Sequence, residues 1–175
     1  CVSLSGRRDL EGCARDPLDG CVWVSDESDT SVRQFDPSTG EETARAEIPD
    51  VFRQNVVANR SLEALAISPD GRKMYVANED TLKCDGPLAN NKHGGSVRIL
   101  ELTRKDGSSP WRAARQFRYE TEAIAGDAYK GLEISGVVAL AVSESGALYV
   151  LEREMSQKNP LFPTFRACIY EVWPL

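Results

Sequence analysis

A short unit is written three times along this chain of 175 residues. The copies read DLEGCARDPLDGCVWVSDE at 9–27, SLEALAISPDGRKMYVANE at 61–79 and GVVALAVSESGALYVLER at 136–153. Each copy contains an alternating apolar segment, a turn built from Asp, Pro, Ser or Gly, and a second segment with an aromatic residue near its start. Each copy therefore predicts a β-hairpin, and a recurring hairpin restricts the fold to a repeat architecture.

Further strands follow the hairpins. A third alternating segment lies at 31–36, 96–102 and 166–172. The segments 42–48 and 112–120 predict a fourth strand in the first two units. The first of these two is rich in helix formers, so its assignment as a strand depends on the repeat alone.

Units of four antiparallel strands with loops of variable length are typical of β-propeller blades. The sequence predicts an all-β propeller in a single domain over 1–175, with blade units at about 5–50, 58–122 and 132–175. Because propellers close with about four to eight blades, three blades predict an incomplete ring. We expect the chain to be part of a longer protein, to be completed by another chain, or to close the ring with CVSLSG as a supplied strand.

The charge and hydropathy of the chain argue against a nucleic-acid partner and against a membrane helix. There are 27 acidic and 21 basic residues, which give a formal charge of -6 and argue against a nucleic-acid partner. No apolar run approaches the roughly 20 residues of a membrane helix, so no transmembrane segment is expected.

The five cysteines include no CxxC pair, and with one histidine they argue against a zinc site. Cys13 and Cys21 flank the turn RDPLDG, and strands pairing about Pro17 would place them opposite each other. A cross-strand disulfide between them is one interpretation and would suit an oxidising compartment. Two buried free thiols are the other.

The motifs DLEG and WVSDE, then NRSLEALAISPDGRKMYVANE, then LYVLER, resemble the phytase-like domain family, also called the esterase-like activity of phytase family. The resemblance runs from about Ser5 to Val172. It implies a propeller similar to the calcium-dependent β-propeller phytases and an extracytoplasmic location: secreted, periplasmic or in an organelle lumen. Family members carry an additional blade before DLEG and further sequence after LER, and Ser61 and Leu62 replace a glycine-aromatic pair.

Polar residues at the ends of inner strands are the candidate functional residues, because the first strand of each blade lines a propeller's channel and loops gather at its mouths. Glu11 and Glu63 occupy the same place in the first two units, while Asp26, Glu27 and Glu79 end second strands. Calcium binds about six to eight oxygen ligands at flexible angles. These five acids therefore predict a calcium site.

The same acids have a second interpretation, in which they accept hydrogen bonds from backbone N–H groups of neighbouring blades and hold the repeats together. The arginines adjacent to these acids also have two interpretations. Arg60 and Arg153 could bind a phosphorylated substrate, or they could form salt bridges between blades. Arg153 stands where the other units carry an acid. Glu63, Glu79, Arg60 and Arg153 are the candidate catalytic residues.

Other motifs narrow the chemistry. His93 lies in a loop of turn formers with no nucleophile motif beside it, so we interpret it as solvated rather than as a general base. The chain has no GxSxG motif, so an esterase activity would not be that of a serine-triad enzyme. Trp23, Tyr75 and Tyr149 recur at one place in the hairpins and predict packing between blades.

Two hypotheses on function follow. In the first, the protein is a hydrolase that uses calcium at the acidic mouth to cleave phosphate or other esters. In the second, it is a non-catalytic propeller module that docks on a larger protein assembly through its open edge and long loops. Convergence of the acids favours the first hypothesis, and pairing of the acids with backbone or arginine favours the second.

Overall fold

The computed structural model describes residues 3–4, 9–126, 133–159 and 161–173. These residues form three antiparallel sheets and one short helix, α1 (Asp50–Asn55). The first sheet contains β1 (Leu10–Arg15), β2 (Val22–Asp26), β3 (Ser31–Phe35) and β4 (Glu42–Arg45). The second contains β5 (Leu62–Ile67), β6 (Lys73–Asn78), β7 (Ser96–Thr103) and β8 (Arg112–Glu120). The third contains β9 (Glu133–Val142), β10 (Leu148–Asn159) and β11 (Phe162–Val172).

The strands of each sheet follow one another in chain order, as in the blades of a propeller. The three innermost strands lie side by side, with β5 between β1 and β9. The predicted all-β, incomplete propeller is therefore confirmed. We call the three sheets blades 1, 2 and 3.

Local sequence accounts for most of the strands, and three details differ from the prediction. The strand β8 has the predicted bounds, whereas β4 ends at Arg45 and the chain then enters α1, which the repeat did not predict. Phe52 of α1 is fully buried. The strand β10 runs to Asn159 and is twice as long as β6, with 12 residues against 6, and it pairs with β11 as far as Asn159 and Phe162.

The hairpin of blade 1 corrects the proposed disulfide. Its strands pair about the Leu18–Asp19 peptide rather than about Pro17, because the backbone N–H of Asp16 donates to the carbonyl oxygen of Cys21 at 2.8 Å. Cys13 then lies opposite Val24, and both cysteines are free thiols. Cys13 is moreover exposed, so it is not the buried thiol of the alternative interpretation.

Two apolar clusters hold the blades together. Trp23 lies in the cluster between blades 1 and 2, with Val32, Met74 and Leu100 among its other members. Tyr75 lies in the cluster between blades 2 and 3. Both aromatic side chains are almost completely buried and pack between blades as predicted, whereas Tyr149 is only partly buried and belongs to neither cluster.

A buried ion pair crosses the first of these interfaces. Arg104 donates to Asp16 at 2.6 Å, and the exposed fractions of the two side chains are 1% and 0%. The Nε1 atom of Trp23 donates to the other carboxylate oxygen of Asp16 at 3.2 Å. The guanidinium of Arg104 also donates to the carbonyl oxygen of Gly71 and lies 4.3 Å from the ring centroid of Trp111. This network joins the hairpin of blade 1 to blade 2.

A close approach between the inner strands β1 and β5 requires a glycine on β1. A Cβ atom at Gly12 would lie 2.6 Å from the backbone nitrogen of Leu65 and 2.8 Å from the carbonyl oxygen of Glu63. We expect Gly12→Ala to lower the free energy of unfolding by about 1–3 kcal/mol, because the blades must separate to admit the methyl group. Urea unfolding measures this change. A loss of less than about 0.5 kcal/mol in Gly12→Ala would refute the explanation.

The third blade ends differently from the other two. Among the described residues, β11 is the last strand of its sheet, whereas blades 1 and 2 end in a fourth strand. Five large apolar side chains in β11 or next to it are exposed: Leu161, Phe162, Phe165, Ile169 and Trp173. In the described part of the chain, no helix is both long enough and apolar enough to span a membrane.

Candidate functional site

The repeat brings acidic side chains together at one end of blades 1 and 2, where β1 and β5 begin and β2 and β6 end. Leu10 pairs with Asp26 in blade 1, and Leu62 pairs with Asn78 in blade 2. Glu27 follows the last residue of β2, and Glu79 follows the last residue of β6. Each glutamate therefore lies next to the start of an inner strand. The N–H of Glu27 donates to the Asp9 carbonyl at 2.8 Å, and the N–H of Glu79 makes the equivalent bond.

Five carboxylates form what we call the mouth cluster: Asp9, Glu11, Glu27, Glu63 and Glu79. They fall into two groups of three, and in each group one oxygen per residue lies within 4.8 Å of the others. The first group is Asp9, Glu11 and Glu27, and the second is Glu27, Glu63 and Glu79. Glu27 is thus common to both groups.

Two members of the cluster also make contacts between blades. One carboxylate oxygen of Glu27 accepts the backbone N–H of Ser61 at 2.6 Å, at the start of blade 2. Glu79 lies 3.2 Å from the guanidinium of Arg60. The cluster therefore combines both arrangements anticipated from sequence, since the acids converge and two of them also hold neighbouring segments.

Asp26 is engaged elsewhere, although the sequence placed it among the metal ligands. Its carboxylate lies 3.2 Å from Nε of Arg33 and accepts hydrogen bonds from the backbone N–H groups of Asp9 and Ser28. Asp26 is the last residue of β2, and its side chain contacts Arg33 of the neighbouring strand β3. Asp9 takes its place in the mouth cluster, and its only sequence signal was its position at the head of DLEG.

Burial and mutual repulsion raise the pKa values of the central acids. Burial raises the pKa of Glu63 from 4.5 to about 7, and the charges of Glu11, Glu79 and Glu27 add to the effect. Burial also raises the pKa of Glu11, assisted by Asp9 and Glu27. The cluster is therefore short of positive charge, and a bound cation would relieve the repulsion.

Two arginines partly offset this repulsion. Burial raises the pKa of Glu79, and the charge of Arg60 opposes this effect. Arg153 is exposed on β10 and lowers the pKa values of Glu11, Glu63 and Glu79 through its charge. An arginine at this position of the repeat therefore adds positive charge beside the mouth cluster.

His93 lies outside this site. Its ring nitrogens contact Asn90 and the carbonyl oxygen of Gly94 within its own exposed loop. The candidate chemical groups at the mouth cluster are therefore carboxylates and arginines. Oxygen-only ligand sets suit hard cations such as calcium, whereas softer metals favour nitrogen and sulfur.

The raised pKa of Glu63 predicts how stability varies with pH. Its pKa in the folded protein lies above the ordinary 4.5, so stability is lost as the pH rises from 4.5 to about 7. After allowance for partial exposure, we expect Glu63→Gln to gain about 1 kcal/mol over wild type at about pH 8 in a metal chelator, and little at about pH 4. Urea unfolding at both pH values measures this. An equal gain at both would contradict the assigned cause.

Comparison with known proteins supports the fold. The chain matches the family described as "Phytase-like: Esterase-like activity of phytase" over residues 3–173. No curated protein matches it. The PQQ-bound aldose sugar dehydrogenase of Streptomyces coelicolor is similar in structure, with a TM-score of 0.52 and 20% identity over 85% of this chain. The match covers 39% of the dehydrogenase chain, so the present chain spans about two-fifths of that protein.

Two other solved structures show weaker similarity. One is the β-propeller domain of Cps50 (Swd1) from Myceliophteria thermophila, with a TM-score of 0.34 and 10% identity over 98% of this chain and 74% of that one. The other is the hydrazine synthase of Kuenenia stuttgartiensis, with a TM-score of 0.37 and 12% identity over 98% of this chain and 65% of that one.

Proposed function

Because the chain belongs to the phytase-like family, described as having esterase-like activity of phytase, we propose that it binds calcium at the mouth cluster and hydrolyses phosphate or other esters there. The observation that carries this proposal is the convergence of five carboxylates, with Glu27 shared by two groups of three. An extracytoplasmic location would suit such a site, since extracellular calcium modules work at about 10⁻⁴–10⁻³ M.

The residues of the cluster would divide the work. Asp9, Glu11 and Glu27 supply oxygen ligands for a cation, and a bound calcium would polarise the ester and offset charge in the transition state. Glu63, whose pKa is raised chiefly by burial, is suited to accept a proton from the attacking water. Glu79 fixes Arg60 at the edge of the cluster.

The arginines would contact the anionic part of the substrate. Arg153 is exposed and close enough to lower the pKa values of three glutamates, so its guanidinium can meet a phosphate or carboxylate held at the cluster. Arg60 is already paired with Glu79, so its role is to position that carboxylate. Of the two, Arg153 is therefore the residue that we assign to substrate binding.

The test is hydrolysis of p-nitrophenyl phosphate and p-nitrophenyl acetate with calcium or with a calcium chelator. We expect turnover of at least one ester with calcium and its loss in the chelator. The variant Glu27→Gln should lose roughly a hundredfold or more of this activity, while Glu144→Gln, at the opposite end of blade 3, should keep it. Absence of turnover, or turnover equal in calcium and chelator, would refute the proposal.

A further inference from the structure

Two backbone turns beside the mouth cluster contain residues in a conformation that L-amino acids rarely adopt. Among the described residues, the non-glycine residues with positive φ are Thr30, at 54°, and Asn59, at 58°. Asparagine is enriched in this left-handed region, whereas a β-branched residue such as threonine is a genuine outlier there. Thr30 is therefore the strained position. Strained residues cluster at sites where function depends on a fixed geometry.

The two turns flank Ser61, the residue before β5. Thr30 lies in the turn between β2 and β3, shortly after Glu27, and Asn59 lies shortly before Ser61. The hydroxyl groups of Thr30 and Ser61 share a hydrogen bond of 2.8 Å. Both residues are buried, with exposed fractions of 5% and 2%. A hydrogen bond at such a buried place is stronger than one in water.

Ser61 is also bonded to two glutamates of the mouth cluster. Its backbone N–H donates to a carboxylate oxygen of Glu27 at 2.6 Å. Its carbonyl oxygen accepts the N–H of Glu79 at 2.7 Å. Glu27 is common to both groups of carboxylates in the cluster. A movement of Ser61 would therefore change the spacing of the oxygen ligands around a cation.

We propose that Thr30 and Ser61 are positioning residues for calcium binding: their hydroxyl pair fixes the N–H of Ser61, and that N–H fixes the carboxylate of Glu27. This inference rests on the proposed function, in which Glu27 is a calcium ligand. Neither hydroxyl contacts the ion. The strained backbone of Thr30 is retained because it directs the hydroxyl toward Ser61 in the next blade. Removing a group that orients a metal ligand lowers metal affinity by about 10–100-fold.

The test is calcium affinity, measured by isothermal titration calorimetry in variants that lack either hydroxyl. Thr30→Val keeps the β-branched shape, and Ser61→Ala keeps the backbone N–H and carbonyl groups. We expect each variant to bind calcium roughly tenfold more weakly than wild type. The double variant should lose no more than either single variant, because both changes break the same hydrogen bond. Thr30→Ser retains the hydroxyl and should retain the affinity.

Tyr75→Phe is the matched control. It removes the hydroxyl of another buried side chain, which donates to Glu101 at 3.1 Å in the interface between blades 2 and 3. A general loosening of the blades lowers the melting temperature without acting on Glu27, so we expect Tyr75→Phe to bind calcium as wild type does. Wild-type affinity in Thr30→Val and Ser61→Ala, or an equal loss in Tyr75→Phe, would overturn the inference.

A second measurement needs no calcium. In the calcium-free protein, the short bond from the amide of Ser61 to a carboxylate should place its amide proton resonance far downfield. Thr30→Val should move this resonance upfield, and Tyr75→Phe should leave it unchanged. An unchanged resonance in Thr30→Val would overturn the inference even if wild type binds calcium. An upfield shift in a protein that binds no calcium would refute the proposed function but support the positioning of Glu27 by Thr30.

Discussion

Replacing Arg104 by methionine is expected to lower the free energy of unfolding by about 3–5 kcal/mol, the usual cost of breaking a buried ion pair. The variant leaves the carboxylate of Asp16 buried with only the Nε1 atom of Trp23 and the N–H of Leu18 as donors. It also removes the bond from Arg104 to the carbonyl oxygen of Gly71. Urea unfolding at neutral pH measures the loss.

An exposed ion pair provides the matched control. Arg112 lies 2.9 Å from Glu47 across the same two blades, but the side chains are 68% and 53% exposed. Arg112→Met should therefore cost only about 0–1 kcal/mol. Similar losses in the two variants would show that burial of the Asp16–Arg104 pair does not stabilise the interface between blades 1 and 2.

Replacing Glu27 by glutamine is expected to weaken calcium binding roughly a hundredfold, because Glu27 belongs to both groups of carboxylates in the mouth cluster. The glutamine retains a side-chain oxygen that can accept the N–H of Ser61, so the contact between blades can persist without the charge. Isothermal titration calorimetry measures the affinity, and thermal unfolding checks that the fold is kept.

The outcome separates the two interpretations of the acids. A purely structural Glu27 would leave calcium affinity unchanged in Glu27→Gln, because the hydrogen bond to Ser61 is preserved. Glu144→Gln controls for the loss of one negative charge far from the site, and we expect its calcium affinity to match that of wild type. Equal calcium affinities in wild type, Glu27→Gln and Glu144→Gln would show that Glu27 does not bind the cation.

Much of the fold could be predicted from sequence because the repeat encodes it locally. Each hairpin carries its own alternation and its own turn residues, and the strand β8 was predicted with its observed bounds. The register of the first hairpin could not be predicted in this way. Its turn is closed by the hydrogen bond between Asp16 and Cys21, and these two residues lie two positions to either side of the Leu18–Asp19 peptide. A shift of the centre from Pro17 separates the two cysteines.

The candidate site, like the fold, has some features that the local sequence predicts and others that depend on residues far apart in the chain. Glu11, Glu27, Glu63 and Glu79 recur with the repeat, so their shared place in the blades could be predicted from their spacing. The orientation of Asp26 toward Arg33 depends on strand pairing, which spacing alone does not give. Arg104 and Asp16 lie 88 positions apart, and no periodicity connects them.

The most direct test of the central claim is a crystal structure of the protein grown with calcium, in which anomalous scattering locates the ion. The account predicts a calcium ion within the mouth cluster, ligated by Asp9, Glu11 and Glu27. A cluster without calcium, in which Glu27 contacts only the N–H of Ser61 and Glu79 only Arg60, would contradict the account. The acids would then serve to join the blades.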